Sequence, residues 1–417
     1  MSAGAARPPR VVIASELMYP ELTSTGFYIS AIARSVAAVA PVTVICGQPT
    51  YAARGLRVPR EEVWEGVHIH RCRGTTFDKN RATGRLANMA TLGLSAFVTA
   101  LGTLRRGDVA IVVTNPPVLP ALVAVACWWR GAACVPVIHD QYPDLLIAAA
   151  NLDERSIVVR LLRAANRWLF RVARRIVVVG RDQRVRLERT YPEATGRVDV
   201  CPNWAEADTV TPAARDGNPL LEALGLTDAF VVLYAGNLGR PQELATLVAG
   251  AEQLAADPRF HLLVVGDGAR RGWLAEAVRA SGLRNVTLLG PRPRHEQQAF
   301  LNACDLGLVT LVSGMWGVSV PSRLYNLLAA GKPILGVVEP GSEVDLVIRE
   351  EGVGWSTPPG DVAAFVAAVR DAAADRARLR AMGVKARAAA ERAYAGPPSL
   401  QYYRTLVRDL LAEEARR

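Results

Sequence analysis

The sequence predicts an α/β protein built from two doubly wound, Rossmann-like domains. Three observations carry this. Short apolar runs bounded by Gly, Pro and Asn alternate with helical stretches, the pattern of a parallel sheet with crossover helices. The alternation stops at Asp208–Asn218, a segment rich in Pro, Thr, Ala and Gly, and then starts afresh. With 417 residues, 50% of them hydrophobic, the chain is long enough for two ordinary domains with sizeable cores. The domains are expected at 1–207 and 208–395, with a last helix at 396–417 after the break Gly396-Pro397-Pro398.

The bulk properties narrow the partners. Net charge is +10, from 49 Lys and Arg against 39 Asp and Glu, which favours nucleotide phosphates, anionic lipid headgroups or nucleic acid. The six cysteines are scattered without a C-x-x-C and read as small buried residues in a reducing compartment. The apolar run Val11–Ser15 is too short for a secretory leader, and no uninterrupted apolar stretch is expected to reach the length of a membrane span. The expected location is cytoplasmic, with the inner face of the cell membrane as a peripheral site.

Val11–Ser15 is a buried strand by composition, followed by a loop through Tyr19-Pro20 to Gly26 and a helix over Phe27–Val39. A strand, a Gly-containing loop and a helix at the start suggest a nucleotide-type fold, but without G-x-G-x-x-G a dinucleotide site is not supported. Strands follow at Val42–Cys46 and Val67–Cys72. The second places His68, His70 and Cys72 on one face, yet no other ligand cluster with zinc-like spacing exists and no metal is expected. Leu86–Leu104 is apolar and flanked by Arg81, Arg85, Arg105 and Arg106; it suits either a membrane surface or a core helix. A strand at Asp108–Val113, a helix at Val118–Arg130 that is apolar nearly all round, and a strand at Cys134–Ile138 lead to His139-Asp-Gln-Tyr-Pro-Asp144. Functional residues collect at the carboxyl ends of such strands. His139 beside Asp140 is a candidate acid/base or hydrogen-bond donor, or a structural loop residue. Arg155–Arg175 is a helix with seven arginines among Ile, Val, Leu, Trp and Phe. It fits an anionic lipid surface, single-stranded nucleic acid, or a solvated basic face.

After the linker, strands are expected at Phe230–Ala235, His261–Val265, Val286–Leu289, Leu306–Leu311 and Ile334–Val338, with helices between them. The loop Gly236-Asn-Leu-Gly239 lets a diphosphate approach backbone N–H groups, because glycine lacks a Cβ. The helix over Pro321–Ala330 has both ends marked: Pro321 suits the first turn, Gly331 closes it and Pro333 forbids continuation. Its amino end, near Ser322 and Arg323, opens beside a strand as an anion site. A cation in a first turn opposes the helix dipole by roughly 0.3–1 kcal/mol, so Arg323 is easier to understand with a phosphate beside it than as a solvated charge.

The run Pro321-Ser-Arg-Leu-Tyr-Asn-Leu-Leu-Ala-Ala-Gly-Lys-Pro333 resembles the donor-site helix of family-4 retaining glycosyltransferases of the GT-B fold. The likeness is nearest to the branch that builds bacterial surface polysaccharides, of fucosamine-transferase and colanic-acid type. Tyr19-Pro20 with Gly26, the segment His139-Asp-Gln-Tyr-Pro-Asp144, Pro202-Asn-Trp-Ala-Glu206 and Gly236-Asn-Leu-Gly-Arg240 resemble further motifs of that family, in the family's order. The resemblance implies a cleft between an acceptor domain and a nucleotide-sugar domain, with the last helix packed back on the first domain. It implies that His139 touches the donor sugar near the reacting carbon, with Asp140 beside it as a catalytic residue, although some members of the branch carry Gln in place of the histidine. The donor-binding set is then Gly26, Gly236, Asn237, Gly239, Arg240, Gly266, Pro291, Arg292, Ser322, Arg323, Leu324, Asn326 and Glu343. The wider family brackets the donor helix with two glutamates eight positions apart. Here Val318 and Asn326 stand there instead, so the usual carboxylate contacts to donor sugar and ribose are missing.

The expected activity is transfer of a sugar from a nucleotide-sugar, UDP-sugar before GDP-sugar, to a lipid-linked, polysaccharide or small-molecule acceptor with retention at the anomeric carbon. No cofactor or metal is expected, since the leaving diphosphate is met by Arg323, Arg240 and helix N–H groups. A sugar-nucleotide epimerase of the same layout and a non-catalytic membrane- or nucleic-acid-binding homologue are the alternatives. The arginines are dispersed and no nucleic-acid motif is present, so nucleic acid is not the expected partner.

Overall fold

The structure is a computed structural model that describes residues 7–21, 23–49, 56–77 and 82–417. Arg81 and the side chain of Arg85, expected to flank the long apolar helix, lie outside the described residues.

The first sheet is built from β1 (Val11–Ala14), β2 (Val42–Cys46), β3 (Glu61–Trp64), β4 (Val67–Arg71), β5 (Val109–Val113), β6 (Ala133–Ile138), β7 (Ile176–Val178) and β8 (Val198–Val200). Their order is β3-β4-β2-β1-β5-β6-β7-β8. Every neighbouring pair is parallel except β3 with β4, whose hairpin was not expected from sequence. Side chains of β1 alternate between two cores, as a central strand covered on both faces requires: Val11 and Ile13 point one way, Val12 and Ala14 the other. The helices of this half are α1 (Ser24–Ala37), α2 (Ala82–Thr103), α3 (Leu119–Arg130), α4 (Asp144–Ala150), α5 (Ile157–Val172) and α6 (Arg181–Thr190). One face of the sheet carries α2, α3, α5 and α6.

The second sheet holds β9 (Phe230–Ala235), β10 (Phe260–Val265), β11 (Val286–Leu289), β12 (Leu306–Thr310), β13 (Ile334–Val337) and β14 (Gly354–Thr357). It is parallel throughout, in the order β11-β10-β9-β12-β13-β14. Its helices are α7 (Pro219–Leu224), α8 (Ala245–Leu254), α9 (Arg271–Ala280), α10 (Gln297–Asn302), α11 (Arg323–Ala329), α12 (Glu343–Glu351), α13 (Val362–Ala374) and α14 (Arg376–Arg392). Finally α15 (Gly396–Ala415) joins α1 on the other face of the first sheet, where Tyr403, Leu406, Val407 and Leu410 enter the core.

The sheets are joined through the ends of their strands. Asp182 at the start of α6 accepts from the backbone N–H of Gly317 and of Glu343, each at 3.0 Å. Burial pushes its carboxyl up to about 6, against those stabilising N–H groups. Gln183 beside it donates to the carbonyls of His139 and Val318.

Candidate active site

The site starts from the carboxyl ends of β9 and β10. Gly236 follows β9 with φ 142°, and Gly266 follows β10 with φ 154°. A Cβ on Gly266 would stand 2.0 Å from the Gly236 carbonyl, so only glycine lets the two loops touch. Arg271 then donates to the Gly266 and Leu289 carbonyls and fixes the second loop.

Arg323 at the start of α11 comes to these loops. Its guanidinium lies 4.2 Å over the ring of Tyr234, and Nη2 is 3.5 Å from the Asn237 carbonyl. A Cβ on Gly236 would be 3.2 Å from its Cζ, so the bare glycine backbone is what admits the arginine. Nη1 is buried without a hydrogen-bond partner. The N–H of Leu324 and of Tyr325 are taken by the Pro321 and Ser322 oxygens. Among the described residues no acceptor takes the N–H of Ser322 or Arg323. A donor-rich corner is thus left facing the Gly236 loop.

The first half of the chain reaches the same corner twice. The Ser322 hydroxyl donates to that of Ser24, in the first turn of α1, at 3.0 Å. Gly26 lies two residues on, and its missing Cβ lets the Glu21 carbonyl close over that turn. At the end of β6, Asp140 pairs with Ser319 in an antiparallel bridge, and the Gln141 N–H donates to the Val318 carbonyl at 2.8 Å. His139 and Asp140 are thereby set against the segment that leads into α11. The backbone N–H groups of both are held by the Thr114 hydroxyl. Burial drives the His139 imidazole down to about 4 and raises the Asp140 carboxyl, the latter opposed by a hydrogen bond from Ser319. His139 is therefore neutral at pH 7, with its imidazole available for hydrogen bonding.

Two expected donor side chains, those of Leu324 and Glu343, are engaged elsewhere. Leu324 is fully buried, so its side chain serves the core. Arg240, Pro291 and Arg292 are exposed, and Arg292 pairs with Glu296 one helical turn on. Glu343, expected at the donor pocket, is 4% exposed and held by Arg181: its carboxylate accepts from the Arg181 N–H at 2.7 Å and from Nε at 3.1 Å. That carboxylate is engaged between α6 and α12. Asn237 and Gly239 remain in the Gly236 loop beside Arg323, where a Cβ on Gly239 would stand 2.8 Å from the Asn237 amide nitrogen.

The two positions that lack the family glutamates have physical explanations. Val318 is fully buried in the apolar core, where a carboxylate would be desolvated without a partner. Asn326 donates from Nδ2 to Glu206 Oε1 at 2.8 Å and to Gln297 at 2.9 Å, and its Oδ1 accepts from the Glu206 N–H. Glu206 is in turn clamped by Arg294, through Nε at 2.8 Å and Nη2 at 2.6 Å, with the Arg294 guanidinium 3.8 Å above Phe27. A carboxylate already stands beside position 326, and an amide is the residue that can donate to it. Glu206, Arg294 and Tyr234 are the residues that sequence reasoning left out of the site.

A mostly parallel sheet and a wholly parallel one, with a Gly loop at the end of β9 and an unsaturated arginine at the start of α11, make this a glycosyltransferase of the GT-B fold. Residues 25–204 match the glycosyl transferase 4-like domain and residues 229–375 the glycosyl transferases group 1, and the chain belongs to this glycosyltransferase family. It is 32% identical over 340 residues to the probable glycosyltransferase WbjE of Pseudomonas aeruginosa, across 81% of this chain and 83% of that one. It is 25% identical over 369 residues to the putative colanic acid biosynthesis glycosyl transferase WcaI of Escherichia coli K12, across 85% and 89% of the two chains. Among solved structures, sucrose-phosphate synthase of Thermosynechococcus elongatus has the same fold, with TM-score 0.76 at 16% identity over 98% of this chain and 100% of that one. Anabaena HepE, solved with UDP and glucose, superposes with TM-score 0.69 at 16% identity over 97% and 100%.

Proposed function

We propose that this glycosyltransferase moves a hexosyl or N-acetylhexosaminyl group from a UDP-sugar to a lipid-linked saccharide of a bacterial surface polysaccharide, with retention of anomeric configuration and without a bound metal. The observation that carries the donor reading is Arg323, whose buried Nη1 has no acceptor and whose guanidinium stands beside the Gly236–Asn237 loop and two unpaired amides. A diphosphate supplies the acceptors that this corner lacks, and charge building on the leaving group strengthens those contacts as the glycosidic bond breaks. The HepE complex with UDP and glucose supports the choice of nucleotide, and the colanic acid biosynthesis named for the WcaI relative supports the polysaccharide setting. In this reading His139 meets the sugar as a neutral hydrogen-bond partner, because burial holds it near 4.

The test is a thermal-shift series with UDP and GDP, followed by turnover of the corresponding donors with lipid-linked acceptors and assignment of the product anomer by NMR. Binding of a nucleoside diphosphate raises apparent stability by mass action. A UDP-dependent rise that Arg323→Ala removes supports the donor site. Consumption of donor without acceptor would make the protein an epimerase, and an inverted product would overturn retention.

A further inference from the structure

The face of the first sheet covered by α2, α3 and α5 is unlike the rest of the surface. The outward ridge of α2 steps by one turn through Leu86, Ala90, Leu94 and Val98, and Leu86, Leu94 and Val98 are about 60% exposed. A solvated helix carries polar residues there. At the carboxyl end of α3, Trp128 and Trp129 are 70% and 69% exposed. On α5, exposed Ile157, Val158 and Leu161 share the outer surface with exposed Arg160, Arg167 and Arg171. The helices are contiguous, α2 against α3 and α3 against α5. Not one residue of the three is acidic.

We infer that this face is a docking surface for an anionic lipid bilayer, entered by the Trp128–Trp129 pair and the α2 ridge and steered by the α5 arginines. This goes beyond the transfer reaction. The combination of exposed aromatic and aliphatic groups with arginines, on helices that carry no acid of their own, matches an interfacial surface, with exposed Asp153 and Glu154 before α5 and Glu193, 3.7 Å from Arg171, at its border. Arginine stems lie along the apolar surface while the guanidinium groups reach phosphate. By length and composition α2 is also able to span a membrane, which corrects the expectation that no stretch would reach that length. Here it lies in plane: Leu92, Ala96, Ala100 and Leu104 enter the core. Gly93 packs on Leu122 of α3, where a Cβ would come within 3.0 Å.

A second copy of the chain fits this face less well. A twofold pairing would set the arginines of one α5 near those of the other, with no acidic side chain on α2, α3 or α5 to neutralise them. The topology also gives the surface a direction. Each of α2, α3 and α5 returns to start the next parallel strand, so Leu86 and Ile157 lie at the cleft end of the face and the tryptophans at the far end. A bilayer on this face runs up to the mouth of the cleft, where a saccharide on a lipid carrier enters from the membrane plane.

The experiment uses the full chain with vesicles of phosphatidylcholine alone or mixed with phosphatidylglycerol, read by co-sedimentation and by quenching of tryptophan with brominated lipid. Recovery is expected only with the anionic vesicles and is expected to fall with added salt. Arg160→Gln with Arg167→Gln should lower partitioning by about 30-fold. Trp128→Ser with Trp129→Ser should lower it by about tenfold and remove the lipid-dependent quenching. The UDP thermal shift should be the same in all these variants, so loss of docking is separated from loss of the donor site. Equal recovery with both vesicle types, or variants that partition like the parent, overturns the inference. So does a concentration-dependent dimer in lipid-free sedimentation that the tryptophan changes abolish, since it assigns the face to a second copy.

Discussion

The guanidinium of Arg323 sits 4.2 Å above the ring of Tyr234. Tyr234 donates its hydroxyl to the Asn237 carbonyl at 2.7 Å, and the arginine reaches the same carbonyl with Nη2. The ring and the Gly236 loop therefore hold a cation at the amino end of α11, where the helix dipole disfavours it. Replacing it removes a charge-assisted bond to the diphosphate, a loss of about 1.5–3 kcal/mol. Arg323→Ala is expected to lower kcat/KM for donor by roughly ten- to a hundredfold and to leave Tm unchanged or slightly raised. If it binds UDP and GDP like the parent in titration calorimetry and turns over normally, the donor site is elsewhere.

His139 should behave as a neutral group. Burial lowers its pKa from the ordinary value of 6.5 to about 4, so the folded chain binds fewer protons there than the unfolded chain does. The stability it contributes is complete above pH 6.5 and declines as pH falls toward 4. The kcat/KM profile should show no limb near 6.5 from this residue. His139→Gln, which keeps a neutral hydrogen-bonding side chain, should retain kcat within about threefold, whereas His139→Ala should lose about tenfold or more. UDP affinity should be unchanged in both. An acidic limb near 6.5 that either substitution removes would assign the histidine a proton-transfer role.

The parts of this fold that sequence makes readable are those where local pattern and tertiary burial agree. Val11–Ala14, Phe230–Ala235 and Ile334–Val337 are apolar runs that close on turn residues, and each is a buried parallel strand. Two edge strands escape this reading, although a third, Val286–Leu289, does not. Glu61-Glu-Val-Trp64 carries two carboxylates and one partner, and Gly354–Thr357 opens on a glycine. The same limit applies to the site. The Gly236 loop and Arg323 follow from a glycine pattern and a helix start. Pro291-Arg-Pro-Arg294 has no periodicity that tells which arginine turns inward. Arg294 does so because Glu206, 88 residues earlier, is there to meet it. Glu343 is drawn away by Arg181, 162 residues before it. Trp128 and Trp129 belong to a helix that is apolar on all sides, and only its packing against α2 and α5 decides that they face outward.

Metal-independent turnover is the expectation from the same corner of the structure. The positive charge beside the Gly236 loop comes from Arg323 and free helix amides. Among the described residues no group of three His, Cys, Asp or Glu side chains is close enough to share an ion. Turnover is expected to persist in excess EDTA at the rate of the untreated protein. Loss of activity that a divalent ion restores would show that the diphosphate leaves on a metal.

The last expectation concerns the exchange of glutamate for asparagine at position 326. Glu206 and Arg294 form a bidentate pair with side chains 9% and 16% exposed, and Asn326 completes the shell of Glu206 by donating to Oε1. Removing one member of a pair this buried leaves the other charge uncompensated, at about 3–5 kcal/mol. Glu206→Ala should therefore lower Tm more than substitutions on the outer face of α14. Asn326→Glu restores the family's residue but sets a second carboxylate beside Glu206 and removes two donated hydrogen bonds, so it should destabilise by about 1–3 kcal/mol. Combining it with Glu206→Gln exchanges the amide and the carboxylate between the two positions. The amide now at position 206 can donate to the carboxylate now at position 326, and Arg294 still meets a negative charge in the cluster. The double variant should recover at least half of the Tm lost by Asn326→Glu, a coupling that a double-mutant cycle reads directly. If the two changes are additive, Glu206 is not what selects asparagine at 326, and the explanation offered for the missing glutamate fails.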